Sequence, residues 1–286
     1  MLTVVLALSG LALTGCSGTA TSSSSPTTST LPAAPSAAVQ AATLAGTNAY
    51  RRQVVQATER FATSTTALDA AISGGNLAQA QAAELEAQAA FDVVRPELQV
   101  GLGQVAPLDG LTVDAAPGTQ ATGLHAVERA LWSGDLPSAA APAAALKGAG
   151  LLLEVSLSRT IKTPSVIAQH QVEQLAWLVS QVVGRGQERF SHRDLVDVEA
   201  TVGAVSGAGA AIEPLGLLVD PQGTYVLQDR LARLQTVAQA MGHSATDAEI
   251  SAASWRELAT AADAAAAAFG TMGGSLNGYG TGRAYA

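Results

Sequence analysis

The sequence predicts an all-α protein built from two packed four-helix bundles. From Ala38 onward, apolar residues recur at the spacing of a helix that buries one face. Gly, Pro and Asn divide this pattern into eight stretches, and no segment shows the sustained alternation of a β-strand. Eight helices of this length favour two four-helix bundles, with one elongated, kinked bundle as the alternative.

The first helix carries the clearest apolar stripe. Four large side chains recur at spacings of seven, seven and four residues, namely Val54, Phe61, Leu68 and Ile72. The stripe ends at the turn 73–76, where Asn76 is suited to cap the next helix. The second helix is predicted over 77–98, with an interruption at Pro96.

The remaining chain continues as helices separated by short breaks. Residues 100–118 contain several Gly and Pro and predict a loop. The later helices are predicted over 119–132, 137–158, 164–183, 193–213, 222–241 and 246–269. Thr246 and Glu249 have the spacing of a capping box at the start of the last helix. The Gly-rich residues 270–286 predict a disordered tail.

The N-terminal segment has the features of a lipoprotein signal. Residues 2–14 form an apolar run that is too short to span a bilayer but typical of a signal-peptide core. The run ends in Leu13-Thr14-Gly15-Cys16, which resembles a bacterial lipobox; a buried core cysteine is the alternative. No Lys or Arg precedes the run, which indicates a misassigned start or a truncated first region. We therefore expect a signal over 1–15 and lipidation of Cys16.

A polar tether is predicted to follow the lipidated cysteine. Residues 16–40 are rich in Ser, Thr and Pro and contain too little apolar area to form a core. They would hold a helical domain, 41–269, away from the membrane on its extracytoplasmic face. No other run of 18 apolar residues without charges occurs, so we expect no second membrane segment.

Composition excludes several classes of site and partner. The single cysteine rules out a disulfide within the chain and a zinc site built from several cysteines. The 15 Lys and Arg against 23 Asp and Glu give a net charge of −8. An acidic chain repels phosphate backbones, so we expect no nucleic-acid partner.

The most informative pair of polar residues is His125 and Glu128. They lie three residues apart on the third predicted helix, so both side chains project from one face within reach of a shared ion. An imidazole with carboxylates is a suitable donor set for iron or zinc. A half-exposed His–Glu pair that binds no ion is the alternative.

Three ordered segments resemble a known family. The pattern Gly-x-His-x-x-Glu-x-x-Leu-Trp over 123–132 is similar to the signature of the imelysin-like family, which includes the EfeO iron-uptake lipoproteins. The segments 188–197 and 50–80, the latter followed by Phe91-Asp92 and Pro96, also resemble this family. The resemblance covers about 42–269 and implies two related helical bundles with a metal site in the cleft between them.

The resemblance also implies a set of metal ligands. His125 and Glu128 match the His-x-x-Glu pair of the family, and Asp92 matches the first acid of a second motif. Glu188 is a further ligand if its side chain faces the cleft. Iron is the expected cation, in its ferric or ferrous form, with zinc or copper as other possibilities.

One position departs from the family pattern. The second acid of the Asp92 motif falls on Arg95, which cannot ligate a cation and whose charge opposes one. Either the site is weaker than in the family, or Arg95 pairs with Glu128 or Asp92 and replaces the charge of the metal. The loop acids of the family are not clearly reproduced, and Asp109 is the nearest candidate.

The other histidines and tryptophans receive structural interpretations. His192 is expected to form a structural hydrogen bond beside a helix cap at Ser191. His170 is expected to be solvated, and His243 to mark the end of a helix. The tryptophans Trp177 and Trp255 are predicted to lie in the core.

These observations predict a binding protein, not an enzyme. It would capture iron outside the cell and pass it to a membrane permease, and the resemblance adds a haem peroxidase of the same system as a possible partner. One alternative is a scaffold lipoprotein whose metal site has decayed. A metallopeptidase is a second alternative, but the sequence lacks His-Glu-x-x-His, its reverse and the Gly-x-Ser-x-Gly elbow.

Overall fold

The described part of the chain is helical and contains no strand, which confirms the predicted all-α class. A computed structural model describes residues 35–101, 108–109, 121–157, 161–184, 186–242 and 246–279. The predicted signal, Cys16, most of the tether, His243 and residues 280–286 lie outside these ranges. The described α-helices are α1 (Ala37–Ser73), α2 (Leu77–Gly101), α3 (Gly123–Trp132), α4 (Leu136–Leu157), α5 (Pro164–Trp177), α6 (Asp194–Val219), α7 (Pro221–Met241) and α8 (Ala252–Ser275). A π-helical turn, Leu178–Val183, continues α5.

The eight helices form two groups of four. In the first group α1 packs on α2 and α4, and α3 packs on α4 and α2. In the second group α5 packs on α8 and α6, while α7 packs on α6 and α8. The long helices α1 and α2 also contact α6, which joins the groups along one seam. This arrangement agrees with the predicted pair of four-helix bundles.

Polar side chains fix several helix starts. The Asn76 carboxamide oxygen accepts a hydrogen bond of 3.1 Å from the backbone N–H of Gln79, which confirms the predicted cap of α2. Ser36 caps α1 through a bond of 3.3 Å from the Val39 N–H. Because Ser36 starts the helix, the tether that was predicted to reach residue 40 ends earlier, and 37–40 are helical.

Pro96 does not interrupt α2, contrary to the sequence prediction. The helix continues through it to Gly101. Proline removes one backbone hydrogen bond and strains the preceding turn. Here Val94 and Leu98, on either side of the proline, are completely buried, so tertiary packing holds the helical path.

The last helix begins and ends later than predicted. The capping box of Thr246 and Glu249 is present, but it closes a single 3-10 turn, and Ser251 caps α8. The helix then runs to Ser275, so the predicted disordered tail is wrong for residues 270–275. Met272 is 1% exposed, and the burial of its side chain stabilises the continuation of the helix through the Gly-rich sequence.

Two helices, α4 and α6, are long and apolar enough to cross a membrane by length and composition alone. In the most apolar stretch of α6, half of the residues are buried inside the protein. Since α6 contacts both groups of helices, its apolar character has a packing explanation. The corresponding stretch of α4 is 28% buried and leaves Leu151, Leu152 and Val155 exposed.

Candidate metal site

The start of α3 depends on a glycine with a left-handed backbone. Gly123 has φ of 59°, and a Cβ at this position would overlap the backbone of Leu108. Only glycine combines this conformation with so close an approach. The contact brings Asp109 against α3, where its Oδ1 lies 3.0 Å from Nε2 of His125.

His125 and Glu128 form a fully buried pair, which overturns the half-exposed alternative. Their side chains meet across one helical turn, with His125 Nδ1 3.2 Å from Glu128 Oε2, and neither residue is accessible to solvent. Burial acts to lower the pKa of His125, but the charge of Asp109 and the hydrogen bond to it outweigh burial and raise the pKa well above its usual value. A cation that uses this imidazole must therefore displace a proton.

The second oxygen of Glu128 holds the loop between the π-helical turn and α6. Its Oε1 accepts hydrogen bonds from the backbone N–H groups of Phe190, at 2.9 Å, and Ser191, at 2.8 Å. The Ser191 hydroxyl does not cap α6 as predicted. It donates instead to Oε2 of Glu188, at 3.1 Å. His192 follows with φ of 56°, an unusual value for a residue with a side chain.

Asp194, in the first turn of α6, fixes the other end of this loop. Its Oδ1 accepts hydrogen bonds of 2.7 and 2.8 Å from the backbone N–H groups of Gln187 and Glu188. Burial, and to a smaller extent the charge of Asp247, raise the pKa of Asp194 to about 7 although the backbone N–H groups oppose the shift. The loop thus presents Glu188 towards α3.

The structure brings His125, Glu128 and Glu188 together, and we call these residues the triad. One donor atom from each side chain lies within 4.8 Å of the others, and all three residues are buried. Oε1 of Glu188 has no hydrogen-bond partner in the described part of the chain. A small side-chain movement would bring these atoms to the bond lengths of about 2.0–2.2 Å that imidazole and carboxylate ligands form with a metal.

Arg95 lies next to the triad and is paired with two other acids. Its Nη2 is 2.8 Å from Oδ1 of Asp92 and also contacts Asp109. The guanidinium lies over the ring of Trp177, 3.9 Å from its centroid, and is 1% exposed. Arg95 thus pairs with Asp92, one of the two partners proposed from the sequence, and its second partner is Asp109. Asp92 lies beside Arg95 and is not part of the triad.

Six buried acids form an acidic cluster, namely Glu84, Asp92, Asp109, Glu128, Glu188 and Asp197. Arg95 stabilises the charged form of the acids at only one end of this cluster, the end formed by Asp92 and Asp109. Burial acts to raise the pKa of Asp109, but Arg95 and His125 outweigh it and hold the pKa well below its usual range. Burial outweighs Arg95 at Asp92 and raises its pKa to about 6. The pKa of Asp197 is raised further above its usual value by burial and then by the charge of Asp92.

The other end of the cluster has acids without a fixed cation. Both oxygens of Glu84 lack a hydrogen-bond partner among the described residues, and the residue is fully buried. Its pKa is raised well above the usual value by burial and then by the charges of Glu128 and Asp109. The pKa of Glu188 is raised for similar reasons, with Glu128 and Glu84 as the repelling groups. The carboxyl groups of Glu84 and Glu188 therefore favour the protonated form more than exposed carboxyl groups do.

Sequence reasoning missed Glu84 and Asp197. Glu84, Gln88 and Asp92 recur every four residues and therefore share one face of α2, a signal that was available in the sequence. Asp197 is part of the segment that carries the family resemblance but had no assigned role. Burial in the folded protein is what raises the pKa values of both residues, and the sequence does not show that burial.

His170 is buried, so the prediction that it is solvated is wrong. Its Nδ1 lies 2.8 Å from Oε1 of Glu97, and the same oxygen accepts a hydrogen bond of 2.8 Å from the Tyr50 hydroxyl. These residues come from α5, α2 and α1, so the cluster connects the two groups of helices. Trp177 lies in the core as predicted, whereas Trp255 is only partly buried.

Comparison with known proteins agrees with the fold and with the sequence segments described above. Residues 46–269 match the imelysin family, also described as Peptidase M75. Among curated protein sequences, none matches the chain significantly. The family match spans most of the chain and includes the triad, Arg95 and the loop that carries Glu188. The chain therefore belongs to the imelysin family.

Proposed function

We propose that this chain is a lipid-anchored, extracytoplasmic metal-binding protein of an EfeO-type iron-uptake system. It would capture iron, or a similar cation, between the two groups of helices and deliver it to a membrane permease. The observation that carries the proposal is the buried triad of His125, Glu128 and Glu188, whose donor atoms lie within 4.8 Å of one another.

The balance of charge supports a cation as the ligand. A buried carboxylate without a partner is costly, and it either takes up a proton or pairs with a positive charge. Arg95 pairs with Asp92 and Asp109, which leaves the triad and Glu84 to be balanced by protons or by an ion. Imidazole with carboxylates suits iron, zinc and copper, and the family resemblance favours iron.

The second candidate function is a scaffold whose metal site has decayed. It is favoured by one observation, the internal ion pair of Arg95 at a position where the family pattern has an acid. We propose no peptidase activity, since the chain lacks the zinc-peptidase motifs named above. Hydrolysis of a peptide library by the metal-loaded protein would contradict this.

Calorimetric titration of the purified protein with ferrous and ferric iron, zinc and copper tests the proposal. We expect at least one cation to bind more tightly than about 0.1 mM, which corresponds to roughly 5.5 kcal/mol. His125→Asn should abolish this binding, while His192→Asn, at an exposed position, should leave it unchanged. If the wild-type protein binds none of the four ions, metal capture is rejected and the scaffold function is favoured.

A further inference from the structure

Glu84 is a buried acid of α2, and the role given to it below rests on the proposed function. Glu84 lies on the face of α2 that also carries Gln88 and Asp92. We infer that Glu84 is a ligand of the captured cation, joining the triad of His125, Glu128 and Glu188. Glu84 provides the third carboxylate of the site, because the carboxylate of Asp92 is paired with Arg95.

The first support is the unsatisfied state of Glu84. The residue is fully buried, and neither carboxylate oxygen has a hydrogen-bond partner in the part of the chain that the structure describes. Glu128 and Glu188, in contrast, each have a hydrogen-bond donor from the loop before α6. Folding buries a carboxyl group without a partner only at a cost, and a bound cation would offset this cost.

The second support is the position of Glu84 relative to the other charged groups. A charge on Glu84 is repelled by those on Glu128 and Asp109, and Glu188 is repelled by Glu84 in turn. Asp197 is repelled first by Asp92, on the Arg95 side, and only then by Glu188. Glu84 therefore belongs to the triad end of the cluster.

The third support is that Arg95 pairs with Asp92 and not with Glu84. Glu84 precedes Arg95 by eleven residues on α2, which is about 16 Å along the helix axis at 1.5 Å per residue. Asp92 is in direct contact with the guanidinium. The carboxylate of Glu84 is therefore not neutralised by the guanidinium, whereas that of Asp92 is.

A ligand set that includes Glu84 favours a trivalent ion. One neutral imidazole and three carboxylates carry a charge of −3, which balances an ion such as ferric iron in a buried site. The triad alone has two carboxylates and balances a divalent ion. Glu84 would thus determine the charge of the preferred cation.

Titration of variants with two redox-inert probes, Zn²⁺ and Ga³⁺ supplied as citrate, tests the inference. We expect Glu84→Gln to weaken Zn²⁺ binding at least about 10-fold, since even groups that only support a ligand have effects of this size. Ga³⁺ binding should weaken more than Zn²⁺ binding. Glu86→Gln, at an exposed position on the same helix, should change neither. Asp92→Asn should weaken the binding of both ions less than Glu84→Gln does, because Asp92 pairs with Arg95 and is not a ligand.

The possible results separate this inference from the proposed function. Wild-type binding that is unchanged in Glu84→Gln overturns the role of Glu84 but leaves metal capture intact. Equal losses for the two ions overturn the trivalent preference, and a wild-type protein that binds neither ion overturns both proposals. Thermal melting of the metal-free protein checks folding, and Glu84→Gln should melt at or above wild type because it removes an unpartnered acid. Glu84→Asp, with its carboxylate drawn back by one methylene, provides a second variant and should bind with intermediate affinity.

Discussion

Replacement of Arg95 by Gln is the perturbation whose effect the structure specifies most fully. Gln keeps part of the side-chain volume and removes the charge. The guanidinium is buried, pairs with Asp92 and Asp109, and lies over the ring of Trp177. Its removal leaves Asp92 and Asp109 without the guanidinium, and the rings of Trp177 and Phe91 without their cationic partner.

The magnitude follows from these contacts. Loss of one partner from a buried ion pair costs about 3–5 kcal/mol, because the remaining charge is uncompensated. The guanidinium–aromatic contact adds about 1–2 kcal/mol. Protonation of Asp92 and Asp109 limits the total, so we expect a loss of about 3–5 kcal/mol near neutral pH. For a domain of this size the melting temperature should fall by roughly 6–20 °C.

Urea unfolding and thermal melts between pH 5 and 8 measure the effect. Without Arg95 the folded-state pKa of Asp92, already raised to about 6, rises further, and that of Asp109 rises from its depressed value. The deficit is therefore largest at high pH and shrinks as the pH falls towards 5. Arg60→Gln, at an exposed position on α1, is the matched control and should cost less than about 0.5 kcal/mol. Equal stability of Arg95→Gln and wild type at pH 8 would refute the assignment of Arg95 as the internal counterion.

Three further predictions concern other parts of the molecule. Cys16→Ala should move the protein from the membrane to the soluble fraction on cell fractionation, and continued membrane association would contradict the lipobox. Gly123→Ala should lower the free energy of unfolding, measured in urea, by roughly 1–3 kcal/mol, because the new Cβ adds a clash to the backbone strain. Gly134→Ala, with φ of 78° and open space around it, should lower it by about 1 kcal/mol. At Glu97, burial acts to raise the pKa, but the hydrogen bond and charge of His170 outweigh it and lower the pKa, so this group stabilises the protein above its unfolded pKa of roughly 4.3. The stability advantage of wild type over Glu97→Gln should therefore be present at pH 6 and disappear in acid, and an advantage that persists at pH 3 would show that the charge is unimportant.

The helices and their caps could be predicted because the forces that specify them are local. Asn76 caps α2 as expected, and Thr246 with Glu249 forms the predicted capping box, since each interaction joins residues three apart in the chain. The pairing of His125 with Glu128 is local in the same sense, because one helical turn fixes which side chains meet. Where tertiary packing overrode local preference, at Pro96, the sequence prediction was wrong.

Only the tertiary structure shows which distant residues each helix face contacts. Helical periodicity shows that a face is buried or polar, but not which distant residue it meets. Glu188 reaches His125 only because Glu128 and Asp194 hold the loop before α6, and Glu84 becomes an unpartnered buried acid only when α2 packs in the first group of helices. The sequence by itself therefore determined the helices and one His–Glu pair. Long-range packing determined the charge balance of the candidate site, because burial and electrostatic neighbours depend on contacts between residues far apart in the chain.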